Sequence, residues 1–310
     1  MKKAKLSAIF STLLFLILSF TISNCWAYAT QTSAASYQKL IEVIKNFYLP
    51  NNTLLVLDVD DTLMMMPCSD QRNPTTCQYL GGPAWFDWQT SLPVASPYRV
   101  ADSFADLLKV NTLLFSLNNM PYTEKDIPVV LHQLATQEGI HLLIETARGP
   151  DALSATGNQL RNLAMPNGNL LALIDQHALK PITGFNNPFQ PCGDNQARPV
   201  SYQQGVFYIA GQPKGQMLHC LLKNTHSRQI KNIVFMDDTP KNVEDVYQSF
   251  VNDNRYNVVA IHYTRLNEHK TALTRGEKAK SYQSAAKHRW ENIKRSMEHN
   301  LIKPPLPDSK

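Results

Sequence analysis

Asp58 and Asp60 stand two positions apart where the apolar run Leu54 to Val59 gives way to polar residues, in Asp58-Val59-Asp60-Asp61-Thr62. Residues i and i+2 of an extended chain point to the same side, so the two carboxylates converge on one point. Three more groups accompany later apolar runs. Thr146 closes Leu142 to Thr146, Lys214 follows Val206 to Ala210, and Asp237-Asp238 follows Ile233 to Met236. Singly they are bland: an acid pair after a strand often caps a helix, and a lone lysine usually faces solvent. Together they suit attack on a phosphate monoester. Such an ester is shielded by its own negative charge, so a carboxylate nucleophile needs a cation to screen its approach. Mg²⁺ suits this, because it accepts one or two carboxylates together with phosphate and water oxygens.

The elements that must position these groups alternate between strand and helix, the pattern of a parallel sheet with helices on both faces. Strands are predicted at 54–59, 142–146, 206–210, 233–236 and 258–262. Helices are predicted at 36–48, 127–138, 150–163, 216–224 and 243–250. Pro128 is tolerated in a first helical turn and Gly139 ends that helix. Open parallel sheets bind ligands beyond the carboxyl ends of their strands, and the chemical residues stand there. Two stretches interrupt the rhythm. Residues 64–122 lie between the first two strands and contain a helix near 103–117. Residues 167–205, rich in Asn, Pro and Gly, read as a loop-dominated excursion.

The four stations resemble the motifs of the haloacid dehalogenase (HAD) superfamily, carried on a Rossmann-like α/β core. DxDx[T/V] matches Asp58-Val59-Asp60-Asp61-Thr62, and a Ser or Thr at a strand end matches Thr146. A Lys near a helix start matches Lys214 in Pro213-Lys214-Gly215, and the acidic fourth motif matches Asp237-Asp238. Order and strand context agree over residues 54–262. Residues 77–89 also resemble an uncharacterised group of exported bacterial HAD-like proteins, a likeness that carries no activity. The resemblance implies a core of residues 30–63 and 123–270 and a mainly helical cap insertion at 64–122, which shields the site and selects substrate.

The same resemblance implies a nucleophile at Asp58, forming an aspartyl-phosphate. Asp60 would be the general acid and then the general base, with Thr146 and Lys214 holding the phosphoryl oxygens. Asp58, Asp237 and the Asp60 main-chain carbonyl would hold Mg²⁺, supported by Asp238 and Asn242. An acid at the second position points to phosphatase or phosphotransferase chemistry, and export into water favours hydrolysis. A binding or effector protein on the same scaffold is the reading from another functional class. Arg148 is a candidate substrate contact or an ordinary salt bridge. In the cap, Trp85 and Trp88, with Tyr79 and Phe86, are candidate substrate contacts or cap core.

Lys2, Lys3 and Lys5 precede an almost continuous apolar run from Leu6 to Ile22, and Ala27-Tyr28-Ala29 gives a small-x-small pattern. Residues 1–29 therefore read as a signal peptide cleaved after Ala29, with export to the periplasm or beyond; a retained anchor is the competing reading. Membrane contact is expected only through this segment. These three lysines account for three of the five net positive charges, and Lys and Arg concentrate again after residue 265. Whole-chain charge therefore gives no support for a nucleic-acid partner, and a small phosphorylated substrate is expected instead. In an oxidising compartment Cys68, Cys77, Cys192 and Cys220 allow three pairings. A local Cys68–Cys77 bridge is the natural expectation, and Cys220, flanked by Leu218, Leu221 and Leu222, is the foremost candidate for a free buried thiol. Residues 271–310 read as a basic amphipathic helix with a proline-rich tail, its basic face solvated.

Overall fold

Thr53 to Leu57 is buried at every residue, as a strand covered on both faces must be. A computed structural model describes residues 27–47, 51–182, 187–192 and 197–302. Most of the expected signal peptide, residues 1–26, and the tail after Ile302 lie outside these residues. In chain order the strands are β1 (Ala29–Ala34), β2 (Thr53–Leu57), β3 (Ile140–Thr146), the short pair β4 (Ala164–Met165) and β5 (Gly168–Asn169), β6 (Ser201–Gln203), β7 (Val206–Tyr208), β8 (Asn232–Asp237) and β9 (Asn257–Tyr263). The helices are α1 (Gln38–Lys45), α2 (Pro83–Ser91), α3 (Phe104–Leu117), α4 (Ile127–Ala135), α5 (Leu153–Asn162), α6 (Leu170–Gln176), α7 (Lys214–Asn224), α8 (Pro240–Phe250), α9 (Asn267–Lys270) and α10 (Ala279–Met297).

Seven strands form one sheet in the order β1-β9-β8-β2-β3-β7-β6, parallel except for β6 against β7. This is the mostly parallel, Rossmann-like α/β architecture that the alternating pattern predicts. The pleat divides the core by residue parity. Leu55 and Leu57 pack with Leu142, Ile144 and Met236 beneath α1, α4 and α6, whereas Leu54 and Val56 pack with Leu143 and Phe235 beneath α7 and α8. Leu57 sits opposite both Ile144 and Met236. The end of β2 is therefore flanked by the ends of β3 and β8, which fixes where Asp58 emerges.

Two regions depart from the expectations. The excursion 167–205 is not loop throughout: Leu170, Leu171 and Ile174 of α6 are buried, and β6 extends the sheet. Its near-continuous apolar run hid the helical period. Strand β1 carries no apolar signal at all, because it lies at the sheet edge and is held by backbone pairing to β9. It starts at Ala29, the residue after which cleavage is expected, and the Val258 amide donates to the Tyr28 carbonyl (2.7 Å).

A third apolar cluster lies outside the sheet. Tyr79, Trp85, Trp88, Leu107 and Leu114 of the insertion pack with Leu273, Ala286 and Trp290. Tyr79 also meets Tyr282, ring centroids 5.2 Å apart. The insertion and the carboxyl-terminal helix, separate in the sequence, thus share one core. Lys280, Arg289, Lys294 and Arg295 of α10 remain exposed on its other side. The expected Cys68–Cys77 disulfide is present. Cys220 is not a free thiol: it is bridged to Cys192, whose loop returns to α7 from 28 residues away, a proximity that local spacing does not encode. Among the described residues no helix is long and apolar enough to cross a membrane.

Candidate functional site

The site is assembled at the carboxyl ends of β2, β3 and β8. The amide of Asp58 donates to the Met236 carbonyl (3.0 Å), and the chain then reverses, with the amides of Leu63 and Met64 both reaching the Val59 carbonyl (3.0 Å). Asp61 takes the left-handed conformation at the corner (φ 57°), which a short polar side chain tolerates. The Thr62 hydroxyl accepts from the Asp238 amide (2.9 Å), tying this turn to the end of β8. Lys214 begins α7, and a Cβ at Gly215 would run into Ser249 and the Asp245 carbonyl, so glycine lets α7 close on α8. From there the Lys214 ammonium donates to Asp58 Oδ1 (2.6 Å) and the Glu145 carbonyl (2.8 Å), and it pairs with Asp237 Oδ2 (2.6 Å). Asn242 Nδ2 lies 3.1 Å from each oxygen of Asp237, and the Thr239 amide donates to Asp237 Oδ1 (2.7 Å). Thr146 is fully buried at the end of β3, its hydroxyl accepting from the Arg148 amide (3.2 Å).

Acids outnumber bases in this buried volume. Burial, with Asp237, Asp238 and Asp60 adding and Lys214 opposing, pushes the Asp58 carboxyl up to about 8. Burial and Asp237 push Asp238 up to about 6 against the pull of Lys270. Burial alone would lower Lys214, yet Asp237, Asp58 and Glu145 outweigh it and hold the ammonium above the ordinary lysine value. Glu145 is fully buried, neither carboxyl oxygen has a hydrogen-bond partner among the described residues, and burial raises it well above the usual range. Carboxylates that outnumber their lysine partners in a buried volume are costly. The donor atoms of Asp58, Asp237 and Asp238 lie within 4.8 Å of one another, an all-oxygen set that fits a hard divalent cation.

The family model described as "Protein of unknown function (DUF2608)" matches residues 33–303. The chain belongs to the DUF2608 family. No curated protein and no solved structure matches it. The DUF2608 span runs from β1 through the sheet, the insertion and α10, so the acid cluster and the cap cluster lie within one family unit.

Within this DUF2608 chain, Asp58, Lys214, Asp237, Asp238 and Asn242 come together as the motif spacing predicts. Trp85 and Trp88 do not join them. They are 1% and 4% exposed inside the cap cluster, so their place as substrate contacts is corrected to cap core. Arg148 is likewise corrected from substrate contact to ion pair. Its Nε and Nη2 donate to the two oxygens of Asp60 (2.8 and 2.7 Å), and its Nη1 donates to Thr156 and Gln159. Two further participants were missed. Lys270 bonds Asp238 Oδ2 (2.5 Å) and its carbonyl (2.6 Å) from α9, and Gln159 supports Arg148 from α5. Neither stands at a strand end, so the rule that found the others passes them over.

Proposed function

We propose that this protein is an exported phosphohydrolase of the HAD type that cleaves small phosphate monoesters through Asp58. The observation that carries this reading is the Lys214 ammonium, buried and shared between Asp58 and Asp237 at adjacent strand ends. Two disulfides are in keeping with an oxidising compartment.

Asp58 and Asp237 would hold Mg²⁺ with the Asp60 main-chain carbonyl, and the ion, when bound, neutralises charge on the phosphoryl group. In the first step a carboxylate oxygen of Asp58 forms a bond to phosphorus while the ester P–O bond breaks. Asp60 gives its proton to the departing alkoxide. In the second step Asp60 takes a proton from water, whose oxygen attacks the aspartyl-phosphate, releasing inorganic phosphate and restoring Asp58. Lys214 and the Thr146 hydroxyl bind the phosphoryl oxygens in both steps. Both are held by rigid elements before substrate arrives, so little reorganisation accompanies reaction. Asn242 and the Thr239 amide fix the Asp237 carboxylate by three hydrogen bonds.

The test is turnover of a panel of sugar, nucleotide, amino-acid and lipid-related phosphates with Mg²⁺. Asp58→Asn is expected to lower it about 10⁴-fold or more without unfolding the chain, and EDTA to silence the wild type until Mg²⁺ is restored. Rapid quenching with labelled substrate should leave phosphate on Asp58. Wild-type activity in Asp58→Asn would end this reading.

A further inference from the structure

Arg148 uses all five of its N–H donors. Nε and one Nη2 hydrogen fork onto Asp60, both Nη1 hydrogens go to Thr156 Oγ1 (2.9 Å) and Gln159 Oε1 (2.7 Å), and Nη2 also meets the sulfur of Met120 (3.6 Å). The Phe115 ring lies against the guanidinium, its centroid 3.7 Å from Cζ. Gln159 turns the other end of its amide to the insertion. Its Nε2 donates to the carbonyls of Phe115 (2.8 Å) and Asn118 (3.1 Å), the last turn and C-cap of α3. Asn118 continues into the insertion, donating to the Leu80 carbonyl (3.1 Å) and accepting from Gln78 (3.1 Å). The amide of Gln159 has one workable orientation, because flipping it would set an NH₂ against the guanidinium and an oxygen against two carbonyls.

These contacts form a graded chain. The Arg148 side chain is 3% exposed and that of Asp60 is 22% exposed. Thr156 and Gln159 are buried on α5. One end is locked in the core and the other faces the space where a ligand would sit. The links satisfy the buried guanidinium and the terminal carbonyls of α3, and in doing so they tie the direction of the Asp60 fork to the seating of α3. We infer that Gln159 and Arg148 are positioning residues that couple the cap to Asp60: the seating of α3 sets the direction of the Asp60 carboxylate and so the proton transfer to the leaving group. This rests on the reading of Asp60 as general acid. Residues without direct contact with substrate thereby govern a step whose importance depends on the leaving group.

The experiment is a leaving-group series on the full mature chain with Mg²⁺, running from p-nitrophenyl phosphate to alkyl phosphates. A good leaving group needs little proton assistance, and an alkoxide needs much. Gln159→Met, of similar length and without the amide, is expected to slow alkyl phosphates about 10–100-fold. It should slow p-nitrophenyl phosphate by no more than about threefold and leave its KM unchanged, which steepens the dependence of rate on leaving-group pKa. Gln159→Glu keeps the acceptor for Arg148 but sets a carboxylate oxygen against the Phe115 and Asn118 carbonyls. It therefore cuts the link to α3 and should leave alkyl phosphates as slow as Gln159→Met does; full recovery would overturn the coupling to the cap. Equal losses on both substrate types, or no loss on either, would overturn the inference. If Gln159→Met does not fold, Arg148→Lys carries the same test, since it keeps the charge and loses the fork. Asp60→Asn separates the two failures. If it steepens the series while the relay variants do not, only the relay is wrong; if it leaves the slope unchanged, the reading of Asp60 itself falls.

Discussion

The strand-end site and the cap cluster are both buried, but opposite forces hold them together. At the site, Asp58, Lys214, Asp237, Asp238 and Glu145 are placed by sheet register and helix starts, and their charges resist being buried together. In the cap, Trp85, Trp88, Leu114 and Trp290 come from segments far apart in sequence, and their packing is itself the driving force. Geometry imposed by a scaffold can hold groups that repel. Geometry produced by packing lasts only while the packing does. On this contrast the cap contributes stability and the site spends it, a division expected where function needs crowded charge.

The largest effect that tests the contrast is in the cap. Trp290→Ala opens a hole among Tyr79, Trp85, Trp88 and Leu273 and should cost about 3–5 kcal/mol in denaturant unfolding. If α10 were an appended solvated helix, the cost would fall below about 1 kcal/mol, and the shared core would be disproved. The Cys68–Cys77 bridge comes next. It closes a short loop at the root of the insertion. Replacing both cysteines with serine should cost about 2–3 kcal/mol from loop-closure entropy. Reduction of the wild type should cost the same within error, and a gap between the two would mean that the thiols pack differently from serine.

How much of this was legible in the sequence follows the same divide. Asp58, Asp60, Thr146 and Asp237 could be placed because each closes an apolar run, and a parallel sheet brings such ends together; Lys214 follows such a run at a helix start. Edge strand β1 could not, because backbone pairing at an edge needs no side-chain signal. Nor could the Arg148–Asp60 fork, since a residue at a strand end gives no sign of whether it points at ligand or at a neighbour. Trp290 reads as the apolar stripe of a basic helix, and its partners lie about 200 residues earlier, a distance that periodicity cannot bridge. Cys220 misled for a related reason: its leucine neighbours describe its helix and say nothing of the loop that carries Cys192 to it.

The smallest effect has the opposite sign. In the metal-free protein the folded-state value for Asp58 is raised to about 8, well above the ordinary carboxylate value of about 3.9. Between those two values the folded chain binds the proton that the unfolded chain releases. Its contribution therefore favours folding at low pH and is lost as pH rises towards 8. Asparagine carries no charge at any of these values and can still accept from Lys214. Asp58→Asn should accordingly stabilise the metal-free protein at pH 8 by about 1–2 kcal/mol, less than the shift alone implies because Lys214 loses an ionic partner. The gain should shrink as pH is lowered towards 4. If the ion binds the folded state through this carboxylate, as the proposed function requires, Mg²⁺ should raise the melting temperature of the wild type and have far less effect on the variant. The measurement is paired melting curves over that pH range with and without the ion. A variant less stable than wild type at pH 8 would mean that the Lys214 bridge outweighs the crowding of the acids. The site would then support the fold as the cap does, and the contrast between the two regions would fail.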